Sequence, residues 1–263
     1  MTLSSRLANT VIYAGLALGA LITLAPFLLG LLTSFTSAHQ FATGTPLQLP
    51  RPDRRSWPAW VAALMTAVIL VGQLTFSVLA GYAFARLQFP GRDALFWAYI
   101  ATLMVPGTVT VVPMYLMMAQ LGLRNTFWAL VLPFVFGSPY AIFLLREHFR
   151  IIPNDLINAA RLDGANTLDV IVHVVIPSSR PVLAALTLIT VVSQWNNFMW
   201  PLVITSGHKW RVLTVATADL QSRFNSQWTL VMAATTLAIV PLITLFVGFQ
   251  RHIVASIVVS GLK

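Results

Sequence analysis

The sequence predicts an all-α, polytopic membrane protein with six transmembrane helices and one long polar insert between the fourth and fifth. Three observations carry that reading. Apolar residues fill 57% of the 263 positions and charged residues only 9%, where a soluble domain carries about 25% charged residues. Mean hydropathy is +0.80. The apolar residues also gather into stretches free of Asp, Glu, Lys and Arg, and about 20 such residues suffice to cross the hydrocarbon as a helix.

Taken in order, the first span is expected over 11–33. Its apolar run is longer than the 7–15 residues of a signal-peptide core, so it reads as an uncleaved span, and its Pro26 is tolerable where neighbours satisfy the freed backbone. A Pro-rich connection, "GTPLQLPRPDRRSWP", follows and should be extended or turn-rich. The second span is expected over 60–85 and the third over 95–119. A very short turn near Gly122 leads into the fourth, over 126–145, which makes an antiparallel pair with the third. After the insert, 146–180, the fifth span covers 181–204 and the sixth 228–249. Between them lies a polar loop with "SGHKWR" as its turn. All of 1–263 is expected to form one transmembrane domain.

Six spans put both termini on one side. That side would carry Arg6, Arg86, Arg92, Arg146, Arg150, Arg161, Arg180, Arg251 and Lys263, nine basic residues against seven opposite. The excess of Lys and Arg on cytoplasmic loops therefore favours cytoplasmic termini.

Charge and composition exclude several function classes. The net charge is +9, but the Lys and Arg residues lie between or beside apolar segments, where they anchor to headgroups and anionic lipid. No basic face remains for nucleic acid. There is no Cys, hence no disulfide framework, thiolate nucleophile or Cys-ligated zinc. The only lysines are Lys209 and Lys263, and no Gly-x-x-x-x-Gly-Lys-[Ser/Thr] occurs, so the chain cannot bind ATP through a P-loop of its own. Five scattered His residues outside the spans offer no metal cluster.

The insert reads as two short helices at an angle. Pro153 ends what precedes, Asn154 can cap a helix, and Asp155 suits the positive end of its dipole. A Gly costs about 1 kcal/mol in a helix interior, so Asp163-Gly164 marks a turn. Asn166 and Asp169 then have the spacing of a capping box. Val170, Ile171, Val174 and Val175 give a second apolar face, which Pro177 should end. The paired small residues Ala159 and Ala160 would permit close approach to another surface. The residues alone leave two readings open: a docking element for a partner protein, or an interfacial helix lying on lipid.

The same residues resemble the EAA loop of binding-protein-dependent ABC importer permeases: Glu-Ala-Ala, three residues, Gly, nine residues, Ile, any residue, Leu-Pro. Asn158, Ala159 and Ala160 stand at Glu-Ala-Ala, Gly164 at the Gly, and Val174 to Pro177 at the close. "GYAFARLQFPGR", the "GLRNT" turn, "DGA" at Asp163 to Ala165, "WNNFMWPL" and "FQRHIVASIVVSGLK" are similar to further motifs of the carbohydrate-uptake branch, in the same order. The departure is Asn158 where the family has Glu, which removes a charge at the partner surface.

That resemblance implies a maltose-permease-like subunit of the bacterial or archaeal cytoplasmic membrane. It implies a homologous permease as heterodimer partner, two cytoplasmic ABC ATPase subunits that carry ATP and Mg, and an extracytoplasmic solute-binding protein. The cargo would be a sugar or related polyhydroxy solute. The chain itself would be no enzyme and hold no cofactor. Gly164 would give the bend between coupling helices, Ala159 and Ala160 the close contact, and Asp163 a helix-terminal or partner hydrogen bond. Ala165 and Pro177 complete the motif.

Uncharged polar residues in the spans are the candidates for solute contact: Gln73 and Tyr82 on span two, and Gln194, Trp195, Asn196 and Asn197 on span five. Amides and an aromatic face suit a neutral polyhydroxy solute. Helix–helix hydrogen bonding and interfacial anchoring explain the same residue types, and the sequence leaves both open. An ATP-independent secondary carrier is the alternative function, but that class shows intramembrane ionisable residues or paired broken helices. Neither is visible, nor are the convergent groups an intramembrane enzyme needs.

Overall fold

In the computed structural model the described residues are 57–207, 209–223, 232, 235–236, 238–244 and 247–248. The expected first span, 11–33, lies outside them, as does part of the sixth, 228–249. The chain divides into two compact units, and the helices below belong to the one formed by Ser56–Val215 and Leu242–Lys263, apart from the last, which passes into the other unit from Ala216 on.

Helix α1, Trp57–Arg86, is the expected second span. Its 30 residues reach about 45 Å at 1.5 Å each, more than the hydrocarbon requires. It has no apolar stripe because it is apolar nearly all round, as a membrane helix is, and neighbours take it up through small residues. A Cβ on Gly72 would lie 2.4 Å from Val135 Cγ2, and one on Gly81 would lie 2.9 Å from Leu145 Cβ. Side chains at either position would force the helices apart, which is the use small residues have at helix contacts in membranes.

The expected third span is broken. Helix α2, Arg92–Ala101, passes through a 3₁₀ turn, Thr102–Met104, and helix α3 follows over Gly107–Gln120, the two bent by 102°. The cause is local: Pro106 holds Val105 extended (φ −82, ψ 116), since the residue before proline avoids helical backbone. Gly122 at φ +69 closes α3, with Leu123 N–H donating to Met118 O and Gly122 N–H to Ala119 O. Thr126 caps α4, Phe127–Val135, accepting from Ala129 N–H at 3.2 Å.

The fourth span runs six residues past its expected end at Leu145. After an irregular step at Phe136–Ser138, helix α5 covers Pro139–Ile151, so the first part of the expected insert continues this span. Pro139 accounts for the step, and other helices satisfy the freed backbone: Ser138 N–H donates to Ser77 Oγ at 3.2 Å and Tyr99 Oη–H to Gly137 O. Among the described residues, Trp60–Arg86 and Phe127–Ile151 are long and apolar enough to cross a membrane, with two bent pairs as further candidates.

The insert forms α6, Asn154–Leu162, and α7, Thr167–Val170. A π-helical turn, Ile171–Val175, and α8, Ile176–Ser178, continue α7. Pro177 therefore does not end the second helix as expected. Its ring would strike the carbonyl four residues back and it lacks an N–H; the wider π turn, with Ile176 N–H donating to Ile171 O, accommodates both. The chain then bends by 83° at Ser179 into α9, Arg180–Trp195. The expected fifth span is also interrupted, since the helix stops at Trp195 and resumes as α10, Met199–Ile204. Helix α11 is Leu213–Arg223.

Two cores hold opposite ends of α1. Val61, Met65 and Ile69 meet Leu130, Trp200, Ile204 and Val212. Toward the other end, Val78 and Tyr82 meet Leu145 and Phe149 together with Ile157, Val170, Ile171 and Val175 of the insert. A smaller cluster of Phe84, Phe96 and Ile142 lies beside the second, with the Arg146 guanidinium 4.0 Å above the Phe96 ring.

Candidate coupling insert and polar stripe

The insert is a built element whose shape follows from its sequence. Pro153, not Asn154, occupies the N-cap of α6, and Asn154 begins the helix with its Oδ1 accepting from Arg86 Nη1. At the other end Gly164 has φ +88. Ala165 N–H donates to Ala160 O, and Gly164 N–H to Arg161 O, both at 3.0 Å. This is a Schellman turn, with a left-handed residue just past the helix and paired 6→1 and 5→2 bonds. Ala160 and Ala165 both lie against the second core, which is the apolar contact that accompanies such turns. The expected capping box is present: Asn166 Oδ1 accepts from Leu168 and Asp169 N–H, and Asp169 Oδ2 accepts from Asn166 N–H.

The two alanines divide their tasks. Ala159 is exposed beside Asn158, whereas Ala160 turns half-buried into the chain's own core. Asp163, Gly164 and Pro177 are exposed and Ala165 is half-buried. The insert is apolar on both sides, for Ile157, Val170, Ile171 and Val175 are buried while Leu156, Leu162, Leu168 and Val172 are exposed. Leu162 at 89% exposure makes almost no contact within the chain.

A second constellation lies between α1 and α9. Thr190 Oγ1 donates to Gln73 Oε1 at 3.0 Å. Gln194, one turn on from Thr190, is buried, and Asn197 Nδ2 donates to its Oε1 at 3.5 Å. Thr214 Oγ1 donates to the Asn197 carbonyl at 2.9 Å. Gln73 with Thr190 and Gln194 with Asn197 are thus two bonded pairs, and the four-residue spacing of Thr190 and Gln194 sets them in line as a polar stripe. The remaining candidates lie apart from it. Asn196 is exposed and its Nδ2 bonds Val192 O at 2.9 Å. Trp195 belongs to the first core. Tyr82 is 1% exposed in the second core, among the insert's apolar residues, which leaves it no face toward a solute in this conformation.

Sequence reasoning passed over Thr190 and Arg86. Thr190 stands four residues before Gln194, a same-face spacing on a helix, and that signal was available. Arg86 was counted only as a charge, although it closes the "GYAFAR" motif.

Bent spans, spanning helices joined through glycine contacts, and a two-helix insert seated on the ends of the spans define a polytopic membrane subunit. The chain belongs to the family described as "Binding-protein-dependent transport system inner membrane component", whose profile matches residues 73–259. It is 33% identical over 199 residues to the arabinooligosaccharides transport system permease protein AraQ of Halalkalibacterium halodurans, covering 76% of this chain and 71% of that one. It is 36% identical over 202 residues to the sn-glycerol-3-phosphate transport system permease protein UgpE of Yersinia enterocolitica, covering 75% and 70%. A solved bacterial ABC transporter involved in import of the acidic polysaccharide alginate has a chain of the same fold. Its TM-score is 0.75 at 24% identity, covering 95% of this chain and 98% of that one.

Proposed function

We propose that this chain is the membrane-spanning permease subunit of an ATP-driven importer, carrying a sugar or related polyhydroxy solute across the cytoplasmic membrane. The observation that carries the reading is the insert. Its inner face is locked into the spans through Ile157, Ala160, Val170 and Val175, and its outer face offers Leu156, Leu162, Leu168 and Val172 around Asn158 and Ala159. An element fixed to the spans on one side and apolar on the other is suited to take a push from a docked protein. That protein would be a separate ABC ATPase, in two copies, which holds ATP and Mg.

The full assembly would add a homologous permease as heterodimer partner and an extracytoplasmic solute-binding protein, with both termini of this chain cytoplasmic and 1–263 acting as one transmembrane domain. A related transporter has been solved with an alginate pentasaccharide-bound periplasmic protein, which supports the binding-protein partner. Gln73, Thr190, Gln194 and Asn197 are the residues we assign to the solute path. Coupling then requires that ATP binding favour one conformation of the pair over the other, and the insert is where that preference would reach the spans.

The test is purification from native membranes in mild detergent with mass spectrometry, for the wild type and Gly164→Asp. An ATPase and a second permease are expected with the wild type and a reduced ATPase yield with the variant. Sugar uptake by the purified chain alone in liposomes, without ATP, would instead establish a secondary carrier.

A further inference from the structure

We propose that Arg86 is the positioning residue that makes α6 move as one body with α1 and α5. The inference deepens the coupling reading above and rests on it for its transport consequence.

Arg86 is the last residue of α1, and its guanidinium reaches across the joint between α5 and α6. Nε donates to Phe149 O at 3.0 Å, Nη2 to Phe149 O at 2.5 Å and also to Ile152 O, and Nη1 to Asn154 Oδ1. Phe149 is in the last turn of α5, Ile152 is its C-cap, and Asn154 opens α6. The last carbonyls of a helix have no partner within it and form its negative end. A half-buried cation there neutralises that end and fills its acceptors together.

The joint is otherwise weakly held. Ile152 is extended at ψ 126, and Pro153 brings no N–H with which to tie the turn. Ile157 and Ala160 seat α6 on the second core by apolar contact alone, and such contact resists separation better than rotation. A planar fork with five fixed donors can bond three acceptors on two helices, whereas an ammonium acts as a point charge without that fixed geometry. The same helix carries Gln73, thirteen residues before Arg86 and about 20 Å along the axis, where it accepts from Thr190. Arg86 thus stands between the docking insert and the polar stripe. Without it a push on α6 would be absorbed at Pro153.

The absence of Cys allows a direct test. Nitroxide labels on Leu79→Cys in α1 and Arg161→Cys in α6 report the distance between these helices by pulsed electron resonance, in the full chain in nanodiscs. A narrow distribution is expected with Arg86, a broad one in Arg86→Ala and an intermediate one in Arg86→Lys. If Arg86→Ala fails to fold, Asn154→Ala removes one acceptor while leaving the cation bonded, and a smaller broadening is expected. Equal widths in the parent and in whichever variant folds would overturn the proposal. In the reconstituted importer Arg86→Ala should retain the ATPase yet move about tenfold less solute per ATP, the upper range for residues that modulate coupling. An unchanged ratio would likewise overturn it. If the wild type recruits no ATPase, the coupling reading fails, and the label distances alone still judge Arg86.

Discussion

The backbone N–H of Ala165 donates to the carbonyl of Ala160 at 3.0 Å, so the two alanines lie together against the second core, one on each side of the turn at Gly164. Their turn depends on Gly164 at φ +88, with nothing within 4 Å of where a Cβ would lie. The cost of replacing it is thus conformational, not steric. Gly164→Ala should raise the energy of the turn by about 1–2 kcal/mol, the penalty of left-handed backbone for an L-residue, and Gly164→Asn should cost less. ATPase co-purification is expected to fall in the order Gly, Asn, Ala. Equal yield for Gly and Ala would remove the turn from the docking argument.

How far all this was legible in the sequence differs between elements. The Asn166–Asp169 capping box and the Asp163-Gly164 turn were readable because each is local, decided by a few adjacent residues. The breaks at Val105, Phe136–Ser138 and Asn196–Phe198 were missed, since a charge-free apolar run registers as one span whether or not Pro106 or Pro139 interrupts it. Hydropathy counts residues and does not see backbone. The division between Ala159 and Ala160, one outward and one inward, depends on how α6 is rotated on the second core, and only tertiary packing settles a rotation. Tyr82 looked like a pathway residue for the same reason: a polar atom on a span does not say which neighbour it faces.

Tyr82 and Gln194 therefore make a paired test of the solute path. The Tyr82 hydroxyl is buried without a hydrogen-bond partner. Tyr82→Phe should leave transport unchanged and stabilise the fold by up to about 1 kcal/mol, because an unsatisfied buried polar group is removed. Gln194→Leu should raise the apparent KM for solute about 2–10-fold, the loss of one net hydrogen bond. Thr190→Val should act in the same direction by releasing Gln73. Uptake of labelled solute by the reconstituted importer measures all three, and a raised KM in Tyr82→Phe would return that residue to the pathway.

Among the described glycines, Gly72 has the least room for a side chain, against Val135. A Cβ on Gly72 would meet Val135 Cγ2 at 2.4 Å and the Val135 carbonyl oxygen at 2.6 Å. A side chain can rotate away, but a carbonyl in a helix cannot. Gly72→Ala should destabilise by about 1–3 kcal/mol, the usual cost of overpacking. Adding Val135→Ala should recover only part of that loss. Thermal unfolding in detergent, run as a double-mutant cycle, reads both numbers, and full recovery in the double variant would mean that the backbone moves to make room.

Asn158 tests the outer face of the insert without disturbing the inner one. It is exposed in the middle of α6, three residues before Arg161, which is also exposed. Within the chain, Asn158→Glu can gain at most an i, i+3 pair with Arg161, worth about 0.2–0.5 kcal/mol. It buries no charge, so the fold should be unaffected. Any larger change must come from the surface Asn158 meets. Restoring the charge found in the family motif should tighten ATPase capture about fivefold if the partner still presents a donor there, the scale of one charge-assisted contact at an exposed rim. Capture by titrated ATPase on nanodisc-held chain measures this directly. An unchanged affinity would mean that the partner's surface is fitted to Asn158, and that the apolar residues Leu156, Leu162 and Leu168 carry the contact.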